Sequence, residues 1–123
     1  MKEKSLDTFG RLIVNQFVDQ GIERFINLQQ NKLKSPSTEW LRKNLSSLDE
    51  SQTKIVEKLV VDVLTSATHD FLFALAEAHE DGHMEINIQG VNVLDMSDGL
   101  AGELFGEAGW LSRFSQHAEI IET

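Results

Sequence analysis

His79, Glu80 and His83 stand in the order H-E-x-x-H. On a continuous helix this spacing puts two imidazoles on one face, one turn apart, where they can bind a single zinc ion. The glutamate between them would act as general base on a zinc-bound water, the chemistry of a small zinc metallohydrolase. Glu103, twenty residues beyond His83, would supply a third ligand. A catalytic reading of the chain therefore has defined parts: Glu80 as base, with His79, His83 and Glu103 on the metal.

The neighbouring residues argue against that chemistry. Gly82 follows a long helix-like run and directly precedes His83, which is where a left-handed glycine ends a helix. Met84 to Ile88 then alternate in polarity as a strand does. The sequence thus predicts that Gly82 terminates the helix, that His83 enters a strand, and that no cleft sits over the pair. The motif resembles that of the zinc peptidases, and Glu103 lies about where thermolysin-like members place a third ligand. Their helices carry uncharged, mostly apolar residues where this chain has Asp81 and Gly82. His79 continues the face of Leu72 and Leu75 and is expected at the edge of the core, with no cofactor and no metal.

A second cluster, Gly99, Gly102, Gly106 and Gly109, is interleaved with Asp98, Glu103 and Glu107. Glycine-rich turns can cradle phosphates, but no Gly-Lys-Ser/Thr follows and the carboxylates would repel an anion. A calcium loop with Gly99 at its sixth position would need Leu94 and Phe105 as ligands, and neither side chain carries oxygen. A non-standard cation site would have to use Asp95, Asp98, Glu103 and Glu107. Tight turns and close helix approach explain the glycines more simply. Without cysteine there is no thiol nucleophile, disulfide or cysteine-ligated metal.

Charge narrows the partners. The chain carries 20 acidic and 11 basic residues, a net charge of −9, which disfavours nucleic acid because phosphate binding needs cations to displace counterions. The imbalance is local. Between Leu59 and Ser112 there are ten carboxylates and no lysine or arginine. That asymmetry favours a basic protein partner, with Asp98, Glu103 and Glu107 around Trp110 as the candidate surface. Against this, both Trp40 and Trp110 are also expected as core plugs, since large aromatics are scarce here. Charges interrupt the long apolar segments, so neither a signal peptide nor a membrane span is expected and the cytoplasm is the default. A cysteine-free acidic chain of this size is similar in bulk character to bacterial immunity and inhibitor proteins, which bind without catalysing. The functional expectation is a non-catalytic, acidic protein-binding module of that type.

The elements that must position these groups follow from periodicity. With 123 residues, one domain spanning 1–123 is expected. A broad apolar helical stripe runs from Leu6 to about Leu33, ending before Pro36. A short helix from Thr38, capped by Ser37, would bury Trp40, Leu41 and Leu45. Capping boxes at Ser47/Glu50 and Asp49/Gln52 precede a long helix to about Asp81. Gln89-Gly90 as a two-residue loop pairs Ile88 with Val91 and Asn87 with Asn92, with Ile86 beside Val93. Short helical pieces around Leu100–Phe105 and Trp110–Phe114 follow, and Ser115 to Thr123 are expected to be loosely held. The fold class is α+β and mostly helical: two long antiparallel helices, a shorter one between, a β-hairpin and a C-terminal helical segment. Its core should centre on Phe17, Phe25, Leu59, Val63, Phe71, Leu72 and Leu75. An exposed stripe on either long helix would suit a homodimer.

Overall fold

The first apolar stripe folds as one helical run with a change of pitch inside it. In a computed structural model describing residues 2–30, 32 and 35–122, α1 (Lys2–Ile13) passes through a π-helical segment, Val14–Val18, into α2 (Asp19–Gln29). Leu33, to which the stripe was carried, lies outside the described residues, as does Thr123. The 31-residue α4 (Glu50–Glu80) runs against this unit in the opposite direction. Gly21 faces Leu64, while Ile13 and Phe17 stand beside Thr68 and Phe71.

The start of α4 follows the second capping register. The Asp49 carboxylate accepts from the Gln52 N–H at 2.8 Å, and the Gln52 side chain accepts from the Asp49 N–H at 3.0 Å. Two orphan donors of the first turn are thereby satisfied. Its end is a Schellman turn. Gly82 is left-handed (φ 76°), the Gly82 N–H reaches His79 O, and the His83 N–H reaches Ala78 O.

The hairpin has the register read from the sequence: β1 (Asn87–Ile88) and β2 (Val91–Asn92) pair Asn87 with Asn92 and Ile88 with Val91. A Val93 N–H to Ile86 O bond extends it by one step. Both loop residues, Gln89 and Gly90, have positive φ, as a type I′ turn requires. Two 3₁₀ turns follow, Val93–Asp95 and Leu100–Leu104, and the second lies along α4. Two short helices, α5 (Trp110–Phe114) and α6 (Ala118–Ile121), close the fold.

The core lies between α1, α4 and the C-terminal segments. Val14, Val18, Ile22, Leu72, Val93, Leu100, Leu104 and Trp110 are its fully or almost fully buried side chains. Trp110 makes an edge contact with Phe9, and its indole fills the space a Cβ on Gly10 would need. Phe25, Leu72 and Leu75 are buried as expected. Phe17, Leu59, Val63 and Phe71 are not: each is 51 to 59% exposed, and among the described residues no element covers the side of α4 that carries Leu59, Val63 and Phe71, nor Phe17 beside Phe71. Trp40, expected in the core, is 72% exposed on α3 (Glu39–Ser46), which buries none of its residues and has Thr38 in place of Ser37 at its N-cap.

The C-terminal residues are held more firmly than their polarity suggested. Asp19 is buried, and its carboxylate accepts from the Ser115 hydroxyl at 2.5 Å, the Gln116 N–H at 3.0 Å and the Asn15 amide at 3.1 Å. The Asn15 amide also donates to Phe114 O. Arg113 clamps Asp7 through two hydrogen bonds of 2.9 and 3.1 Å. Its guanidinium holds the Asp7 carboxyl below the usual carboxylate range. By length and composition, α4 is apolar enough to cross a membrane, although part of it packs into this core.

Candidate functional site

His79 sits in the last turn of α4, facing the 3₁₀ turn that follows the hairpin. Its Nδ1 lies 3.1 Å from Met84 O and its Nε2 lies 2.6 Å from Asp95 Oδ1. A carbonyl and a carboxylate can only accept, so both ring nitrogens must donate, which requires the imidazolium. The Met84 carbonyl, the Asp95 carboxylate and the nearby Glu80 charge accordingly raise the His79 pKa above its ordinary value, against a smaller opposing effect of burial. Asn92 supports the arrangement from β2. Its amide lies 3.4 Å from Asp95 Oδ2, and its carbonyl accepts from the Ile86 and Leu94 N–H groups.

This geometry does not make a helical H-E-x-x-H. The helix ends before His83, and both nitrogens of His79 are committed to acceptors within the chain. His83 is exposed in the bend after Gly82; it does not enter the strand, which begins only at Asn87. A cleft does lie beside the pair, contrary to expectation. It is an open hollow of about 290 Å³ lined by His79, Gly82, His83, Met84, Glu85 and Asn92. Glu103 belongs elsewhere, accepting from the Ser97 hydroxyl at 2.7 Å. Among the described residues, no three His, Cys, Asp or Glu side chains are grouped to hold a metal ion. The His79–Asp95 contact ties the end of α4 to the 3₁₀ turn that follows the hairpin.

A charged contact makes this tie sensitive to pH. Because the folded pKa of His79 is raised, its contribution is complete below the unfolded value of about 6.5 and is lost as pH rises through the folded value. An NMR titration should therefore show a His79 midpoint above that of an unfolded histidine, returning towards it in Asp95→Asn. A midpoint at or below the unfolded value would contradict the charged contact.

Most carboxylates of residues 77–107 reach solvent, but the aromatic expected among them does not. Glu77, Glu80, Asp81, Glu85, Asp95, Asp98 and Glu107 are exposed, and Glu103 is half-buried. Among the described residues, the ion pairs are Lys54–Glu57, His69–Asp70, His79–Asp95 and Arg113–Asp7. Of the carboxylates from 77 to 107, Asp95 is the one in a close ion pair among the described residues, while Glu80 and Glu103 act at longer range on His79 and Arg113. Trp110 is fully buried, so it cannot serve as the exposed anchor of this surface. Comparison of the chain with protein-family models, curated proteins and solved structures gives no match.

Proposed function

We propose that this chain is a non-catalytic protein-binding module of inhibitor or immunity type, acting in the cytoplasm and presenting the acidic surface of residues 77–107 to a basic partner. The observation that supports this reading is the set of exposed carboxylates, Glu77, Asp81, Glu85, Asp98 and Glu107, that form no ion pair among the described residues. An excess of exposed like charge raises the potential felt by an approaching cation and accelerates encounter with a basic surface.

Capture from the native host by wild type and by a Glu85→Lys/Asp98→Lys/Glu107→Lys variant tests this. These three side chains are exposed, and Glu85 gives up only a 3.2 Å hydrogen bond from the exposed Asn87 amide, so the variant should fold normally. The expected result is a basic protein retained by wild type and lost with the variant. Equal retention by both would defeat the proposal.

A further inference from the structure

The uncovered side of α4 is a separate surface from the acidic one. Val56, Val60, Val63, Ala67, Phe71, Ala74 and Ala78 lie along it, with Val63, Ala67, Phe71 and Ala74 exposed and the others half-buried. Their mean spacing, about 3.7 residues, is close to the 3.6 of a straight helix, so they form one continuous apolar band. Phe17 extends one edge of the band and Leu59 the other. Phe17, Phe71, Ile13 and Thr68 also line an apolar hollow of about 400 Å³.

The order of those spacings is 4, 3, 4, 4, 3, 4, which reads the same in both directions from Ala67. A two-fold interface demands that property, because residue i must meet j while j meets i. We propose that α4 pairs antiparallel with α4 of a second copy of this chain across a two-fold axis at Ala67. Val63 then meets Phe71 of the second copy, Val60 meets Ala74, Val56 meets Ala78, and Ala67 meets itself. Large residues face small ones at the outer pairs, and the alanine at the centre lets the two helices approach closely.

The surface area agrees. A compact monomer of 13.9 kDa exposes about 6,700 Å², whereas this chain exposes 7932 Å². The excess, about 1,200 Å², exceeds the roughly 800 Å² each partner gives up in a standard interface. A lipid surface fits the band less well. Interfacial helices carry lysine and arginine on their polar face, whereas from Leu59 to its end α4 offers Asp62, Asp70, Glu77 and Glu80.

The absence of native cysteine permits a test of register. Under mild oxidation Ala67→Cys should form a disulfide-linked dimer through the axis. Val56→Cys alone should not, while Val56→Cys/Ala78→Cys should. Sedimentation of the wild-type chain should give twice 13.9 kDa, and Ala67→Glu, at an exposed site, should give one chain with unchanged helical circular dichroism. Association should tighten as salt screens the repulsion between two chains of charge −9, the reverse of what a basic partner would show. The two readings therefore fail separately. A wild-type monomer, cross-linking in another register, or binding to neutral phosphatidylcholine vesicles in place of self-association would overturn the pairing.

Discussion

Trp110→Ala should cost about 3–5 kcal/mol of unfolding free energy, a large share of the 5–15 kcal/mol typical of a domain. The side chain is fully buried, meets the edge of Phe9 and presses on the backbone at Gly10, so α1 cannot move in to fill the space without losing its other contacts. Its Nε1 has no hydrogen-bond partner among the described residues, so the contacts of the ring are packing contacts. Trp110→Phe should therefore be far milder, at roughly 1–2 kcal/mol, because it keeps an aromatic plug and removes an unpaired donor. Urea unfolding followed by circular dichroism measures both. Equal losses would mean that packing at this position is not what holds α5 to α1.

Asp19→Ala should rank next, at about 3 kcal/mol. The buried carboxylate gathers donors from Ser115, Gln116 and Asn15, and its loss leaves those partly buried groups without their acceptor. The effect should be local as well as global. Amide exchange at Gln116 and through α6 should accelerate, because this carboxylate ties the last segment to the π-helical turn. Asp19→Asn should recover part of the loss by keeping one acceptor. A cost below about 1 kcal/mol for Asp19→Ala would show that the tail is held by Ile120 and Ile121 against the core and not by the carboxylate.

Local rules were legible in the sequence wherever they depend on neighbouring residues. The Asp49/Gln52 box, the stop at Gly82 and the register around Gln89-Gly90 all follow from backbone needs that one or two side chains meet. Coverage was not legible. Periodicity shows that Leu59, Val63 and Phe71 share an apolar side, but not which element, if any, lies over it. Among the described residues, short 3₁₀ and helical pieces follow the hairpin, and they pack on one side of the 31-residue helix. The same limit misplaced Trp40, since α3 is too short and too peripheral to carry its indole inward.

The candidate site divides in the same way. Asp98 and Glu107 are exposed, as charge alone suggests, whereas Glu103 is half-buried against the Ser97 hydroxyl. Trp110 could not be assigned from its acidic and glycine-rich surroundings. Its burial comes from contacts with Phe9 and Gly10, a hundred residues away in sequence. The tail clamp was missed because Ser115 and Gln116 resemble a solvated end. The available signal was the polar pair Asn15 and Asp19 within the apolar run of Val14, Phe17, Val18 and Ile22.

Whether the acidic surface is the working face is decided most directly by the salt dependence of binding to a captured basic partner. Its affinity for the wild-type chain should fall steeply between about 0.05 and 0.5 M salt, as the screening length shrinks from roughly 14 to roughly 4 Å. The Glu85→Lys/Asp98→Lys/Glu107→Lys variant should bind weakly throughout, with little slope left to lose. An affinity that is flat across that range, or equal for the two chains, would contradict the assignment of residues 77–107 as the binding surface.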